Sequence, residues 1–251
     1  MHTTLHALAR TALALGLMLL AGTLSQRAAA DGASNPNVYP RSSDPLGTSY
    51  NDWAALWAQW AFSLPAQKHP LFDTADCSEG QSGRVWFLGG KFCQATDSGC
   101  SAGSATRTCT VPAGKALFFP VVNVSCNTKE AKQGLCPPAK LNLAEMRAWA
   151  NGIFEQTQGI QGTLDGQPLG ANLKWNFRVQ GPAFPIVIPS FPAGQQNLLQ
   201  AIGEPSIGSG DYLVADDGVY IMLKPLSAGT HTLQFSESAF GLNITYALNV
   251  R

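Results

Sequence analysis

The hydrophobic positions along this chain fall into two patterns, one of period near four and one of period two. The first pattern appears over Asn51–Phe62, where Trp53, Trp57 and Trp60 recur at i, i+4 and i+7 and so share one face of a predicted helix. Ser49 or Asn51 can cap its start, and Pro65 ends it. A second helix is predicted over Leu143–Glu155. Asn142 and Glu145 have the spacing of an N-cap and its N3 partner, and Met146, Trp149 and Ile153 lie on one side. Elsewhere the period is two. Leu242, Ile244, Tyr246, Leu248 and Val250 alternate with Asn243, Thr245, Ala247 and Asn249, which reads as a half-buried antiparallel strand. Shorter strands are predicted over Arg84–Leu88, Thr106–Val111, Ala116–Val124, Ile160–Leu164, Leu173–Val179, Val219–Leu223 and Thr230–Phe235. A Pro-broken run from Phe184 to Pro192 suits a sheet edge. Asp165-Gly166 signals a tight hairpin, and Asp216-Asp217-Gly218 reads as a turn before Val219.

Strands do not alternate regularly with helices, and no long repeat is visible. A doubly wound α/β fold is therefore disfavoured. The expected fold is mainly β, an antiparallel β-sandwich of jelly-roll type with two attached α-helices. Residues 1–30 read as a secretory signal: a basic residue at Arg10, an apolar run from Thr11 to Leu24, and the small-residue site Ala28-Ala29-Ala30 with cleavage near Ala30. The apolar run is short for a bilayer span. The expected product is secreted or periplasmic and does not span the membrane. Pro36, Pro40 and Pro45 mark residues 31–49 as an extended N-terminal arm. Residues 50–251 then form a single disulfide-braced domain.

Composition supports this reading. All six cysteines, Cys77, Cys93, Cys100, Cys109, Cys126 and Cys136, follow the leader, and an even number in an exported chain reads as disulfides. Six cysteines admit many pairings. Local spacing suggests Cys93–Cys100 and Cys126–Cys136, leaving Cys77–Cys109 as the longer tie. A structural zinc is the weaker alternative, because no C-x-x-C pair exists and only His69 and His231 follow the leader. Charged residues make up 13% of the chain, with 16 basic balancing 16 acidic. Loss of Arg10 and Arg27 with the leader leaves the balance slightly acidic. Without a basic stripe, a nucleic-acid partner is not expected.

Two stretches carry a family resemblance. They are Val85-Trp86-Phe87-Leu88-Gly89-Gly90 and the run from Arg107-Thr108-Cys109-Thr110-Val111-Pro112 through Ala113-Gly114-Lys115-Ala116 to Leu117-Phe118-Phe119-Pro120. With the Trp helix before them and Pro225–His231 after, the chain resembles a family of exported microbial proteins. The resemblance implies export and a β-rich fold. It brings no activity and no catalytic residues.

Candidate chemistry is sparse. Three indoles on one helix face can be a core seam or a glycan-binding platform, and burial of so much apolar area favours the seam. His69, in a loop after the Trp helix, is a candidate binding residue or general base. Asp73, Asp76 and Glu79 crowd beside Cys77 and are candidate calcium ligands. No other cofactor is expected. Asp211, Asp216 and Asp217 form a second carboxylate group, and either group could supply a glycosidase pair. Arg84, Lys91, Arg107 and Lys115 flank the central strands, as edge charges or as a cationic patch. Gly99-Cys100-Ser101-Ala102-Gly103 matches a nucleophile-elbow pattern with His231 downstream. The strand-then-helix context that such an elbow needs is missing. The sequence thus favours a non-catalytic exported binding or structural protein, one that recognises a glycan, a cell-surface partner or an extracellular protein. The alternative is a secreted polysaccharide hydrolase using a carboxylate pair.

Overall fold

The computed structural model describes residues 35–96, 103–136 and 142–251. The expected leader at 1–30 lies outside the described residues, as do Cys100 and Ser101. In chain order the strands are β1 (Val85–Phe87), β2 (Ser104–Val111), β3 (Ala116–Asn127), β4 (Gln161–Leu164), β5 (Gln167–Pro168), β6 (Arg178–Val179), β7 (Phe184–Ile188), β8 (Gly210–Leu223), β9 (Gly229–Glu237) and β10 (Leu242–Val250). The helices are α1 (Tyr50–Phe62), α2 (Thr128–Gln133), α3 (Leu143–Phe154), α4 (Leu173–Asn176) and α5 (Leu198–Ala201).

The strands form two sheets in a sandwich-like fold. Sheet A runs β1-β3-β8-β6, with β7 also pairing β8, and sheet B runs β2-β10-β9-β4-β5. Most neighbours are antiparallel, but β1 pairs β3 and β2 pairs β10 in parallel, so both sheets are mixed rather than purely antiparallel. A tight hairpin forces antiparallel pairing, and a long connection does not. β2 and β10 are joined by most of the domain, which frees them to run the same way.

Burial explains the two strand textures. On β9 and β10 buried and accessible positions alternate, because sheet B has one solvent face. On β3 the run Ala116–Val121 is buried throughout, because sheet A is covered on both sides. Phe119 faces sheet B and stacks on Phe235 at 5.1 Å. Phe118 faces the other way, against Tyr50 of α1 at 5.9 Å and Tyr220 of β8 at 5.5 Å. Helix α3 covers the far end of sheet A, burying Met146, Ala150 and Phe154. That stripe is rotated from the expected Met146, Trp149 and Ile153.

Local chemistry sets several boundaries. Ser49 caps α1 by accepting the Asp52 amide at 3.2 Å. Asp165 and Gly166 both take positive φ and join β4 to β5 as the Asp-Gly pair predicts. The expected strand over Leu173–Val179 is instead the short helix α4 followed by the two-residue β6. The buried Glu237 carboxylate shapes the β9–β10 turn by accepting the amides of Ala239 and Phe240. The described part of the arm is docked: Val38 is buried and bridges Leu223, and the Tyr39 amide donates to Met222 O at 2.9 Å.

The disulfides Cys77–Cys109 and Cys126–Cys136 are formed as the spacing suggests. The expected Cys93–Cys100 link involves Cys100 and lies outside the described residues. Among the described residues no helix is long and apolar enough to cross a membrane.

Candidate functional site

The Trp face of α1 is mostly a core seam. Trp57 and Trp60 are buried, and Trp53 is half-buried. All three indole N–H groups are used within the chain: Trp53 donates to Pro45 O at 3.0 Å, Trp57 to Leu88 O at 2.7 Å and Trp60 to Glu79 O at 3.3 Å. One flank of the helix nonetheless stays open. Trp53, Leu56, Gln59, Trp60, Arg84 and Phe87 border a groove of about 360 Å³. Its floor is aromatic, with Trp60 and Phe87 5.7 Å apart and Trp53 6.5 Å from Phe87. Leu56, 46% exposed, forms its lip. Gly80 allows the chain to pass under this wall. Its φ is +69°, and a Cβ there would stand 2.7 Å from Leu64 and 3.1 Å from the Trp60 nitrogen.

His69 does not face this groove as a reactive group. It is fully buried, packed among Trp60, Phe72 and Phe92. Nε2 donates to Ala61 O at 2.9 Å, and Nδ1 accepts the Leu71 amide at 3.1 Å. Burial drives its pKa down to about 4, and the nearby Arg107 charge acts in the same direction. Both ring nitrogens of the neutral imidazole are therefore committed to the backbone.

The carboxylates beside Cys77 separate in space and role. Asp73, in a left-handed turn, pairs with Arg107 at 2.5 Å and Lys91 at 3.5 Å. Asp76 closes its own turn onto Ser78. Glu79 contributes its carbonyl to Trp60. Among the described residues no three His, Cys, Asp or Glu side chains are grouped so as to hold a metal ion.

Arg107 is not the edge charge that its place beside a strand suggests. It is only 9% exposed. Its guanidinium donates to Gly90 O at 2.9 Å and to the Tyr246 hydroxyl at 2.7 Å, besides pairing Asp73. It ties β2 to the loop after β1, and its carbonyl partners are invisible in sequence.

Asp216 and Asp217 do not lie in a turn. They sit inside β8, opposite Ser125 and Val124, and the strand pleat sends them to opposite faces. Asp217, fully buried, accepts two bonds from Arg178 at 2.9 and 2.6 Å and one from Gln180 at 3.0 Å. Arg178 also reaches Glu155 at 2.5 Å and lies over the Phe154 ring.

Asp216 faces the α1 side. A bulge between Pro120 and Val122 shifts the register, so Phe118 and Pro120 and then Asn123 and Ser125 share that face. Asn123 donates to one Asp216 oxygen at 2.9 Å, and the Tyr220 hydroxyl donates to the other at 2.8 Å. Burial pushes Asp216 up to about 7, with the Asp217 charge adding to the rise against these two bonds. Asp216, Asn123, Ser125 and Glu130 line a second cavity of about 160 Å³. Its other walls include Trp57, Phe62 and Phe92, and α5 packs over it. Glu130 accepts the Asn127 amide in the α2 capping box. Burial and then the neighbouring Glu204 hold its carboxyl above the usual range. Sequence reasoning groups Asp216 with its charged neighbours and passes over Glu130, because the β3 bulge that brings Asn123 and Ser125 onto the Asp216 face has no sequence signature here.

His231 stands on sheet B, away from Asp216 and Asp217. Its Nδ1 contacts Asp165 at 2.7 Å and its Nε2 lies 3.0 Å from Ser227 O. The Asp165 hydrogen bond raises its pKa.

No protein-family model matches the chain, and no curated protein matches it in sequence. Among solved structures it is matched to the solution structure of amebosin, at 11% identity over 59% of this chain and 95% of that one. The TM-score is 0.19, too low to carry an argument about fold or function.

Proposed function

We propose that this is an exported, non-catalytic binding protein that recognises a glycan along the groove on α1. The carrying observation is an open groove with an aromatic floor. Trp53, Trp60 and Phe87 offer ring faces or edges, while Arg84 supplies a charged group at the border; the Gln59 amide is held by the Val187 backbone. Sugar rings present apolar C–H faces and hydroxyl rims, which suit such a mixture. Two disulfides fit the oxidising compartment that export implies.

The alternative, a polysaccharide hydrolase with a carboxylate pair, draws on Asp216 and Glu130, since a carboxyl kept protonated near neutral pH can serve as a general acid. Size weighs against it. A cavity of about 150 Å³ admits a benzene-sized ring, and the one beside Asp216 is about 160 Å³, so a polysaccharide chain has no room there.

The test is incubation of the mature protein with a panel of insoluble polysaccharides, scoring retention and released sugar together. Retention without release is expected, with Trp53→Ala losing retention while remaining folded. Release of soluble sugar would transfer the assignment to the hydrolase reading. If the protein shows no retention and no release, glycan recognition is overturned.

A further inference from the structure

We propose that the partly enclosed cavity between α1, α5 and the β3/β8 ladder is a second ligand site, one that takes a small organic ammonium ion of single-ring size. The site is separate from the groove. Groove and cavity lie on different flanks of α1 and share no lining residue, so the cavity can hold its ligand whether or not the groove holds a glycan.

Three features define the ligand. Size comes first: about 160 Å³ suits one six-membered ring with a short substituent. The walls come second. Trp57, Phe62 and Phe92 present aromatic surface, with Leu198, Leu199 and Ile202 closing the α5 side. Such walls favour an apolar body, and aromatic faces also attract a cation.

The polar corner comes third. Asp216 accepts one hydrogen bond on each oxygen, from Asn123 and Tyr220. A carboxylate offers about four lone-pair sites, so each oxygen can accept again. Ser125, directly across the ladder from Asp216, lines the same cavity, and its hydroxyl makes no hydrogen bond to another described residue. Among the described residues no cation neutralises Asp216. The Arg178 guanidinium is spent on Asp217, which faces the other side of the sheet. Burial, with the Asp217 charge adding to it, raises Asp216 to about 7, and no cation among the described residues offsets that rise. An ammonium group would supply that charge and donate to both Asp216 and Ser125. Glu130, the other lining carboxyl, is pushed up to about 8 by burial and then by Glu204, so it keeps its proton at a pH where Asp216 has lost its own.

The probes are benzylammonium chloride and the uncharged benzyl alcohol, titrated by calorimetry into the mature protein at a pH of about 7.5, where Asp216 is mostly ionised and Glu130 mostly protonated. Wild type should bind benzylammonium at one saturable site, at least about tenfold more tightly than benzyl alcohol. Asp216→Asn should erase that preference. Ala58→Leu, which fills the cavity from α1, should abolish binding of both probes and decides the matter if Asp216→Asn does not fold. Absence of saturable binding, equal affinity of wild type for the two probes, a preference that survives in folded Asp216→Asn, or undiminished binding by Ala58→Leu would each overturn the proposal.

Discussion

Asp217 holds a carboxylate where water does not reach, and its charge is matched almost entirely by one residue. Arg178 grips both oxygens, and Gln180 adds a third bond. Removing one partner of such a pair leaves an uncompensated buried charge. Arg178→Met should therefore cost about 3–5 kcal/mol in urea unfolding at neutral pH. Replacing both partners by apolar residues should cost much less. His69 makes a pH-dependent prediction. Its folded pKa of about 4 lies below the ordinary 6.5. Between those values the unfolded chain binds a proton that the folded chain refuses, so stability falls as pH drops from about 6.5 toward 4. The loss at a pH of about 4.5 should be about 2–3 kcal/mol. His69→Gln should flatten that slope in unfolding measured across the window. His231 works with the opposite sign. The Asp165 hydrogen bond raises its folded pKa, so what it contributes is present at low pH and is lost as pH rises through that value.

At the scale of elements, α1 divides its tryptophans between two tasks. Trp57 is buried and bonded to Leu88, so Trp57→Ala should destabilise by about 3–5 kcal/mol. Trp53 is half-buried at the groove, and Trp53→Ala should cost less; paired thermal melts will rank the two. The β3/β8 ladder has a comparable tight point. A Cβ on Gly218 would stand 2.6 Å from the Asn123 Cβ and 2.8 Å from Val122 O. Gly218→Ala should displace Asn123, lower the melting temperature and loosen the Asp216 hydrogen bond. Loss of benzylammonium preference in a folded Gly218→Ala would show that coupling directly. Helix α1 itself is plain in sequence, because tryptophans at i, i+4 and i+7 fall on one face of a helix and on no single face of a strand. The β3 bulge is not, since it depends on how the two strands pair.

On the scale of the whole molecule, the two disulfides brace different parts. Cys77–Cys109 links the segment after α1 to β2 of sheet B across a separation of 32 residues. Cys126–Cys136 closes a separation of 10 around α2. Chain-entropy reasoning assigns about 4 kcal/mol to the longer loop and about 3 to the shorter. The double substitution Cys77→Ala with Cys109→Ala should lower stability somewhat more than Cys126→Ala with Cys136→Ala, as read by denaturant midpoints.

The features legible in the bare chain are local ones. The Trp periodicity, the alternation over Leu242–Val250, the Asp165-Gly166 turn and the spacing of Cys126 and Cys136 each act through neighbours a few residues away. Their physical meaning survives without knowledge of the rest of the chain. Whatever depends on a distant partner was settled by folding. Packing made Arg107 a buried tie and His69 a neutral backbone clamp. It placed Asp216-Asp217-Gly218 inside a strand rather than at a turn, because β3 supplied a ladder and α1 and α3 covered its two faces. Charge, burial and hydrogen-bond partners are properties of surroundings, and only the folded chain brings those surroundings together.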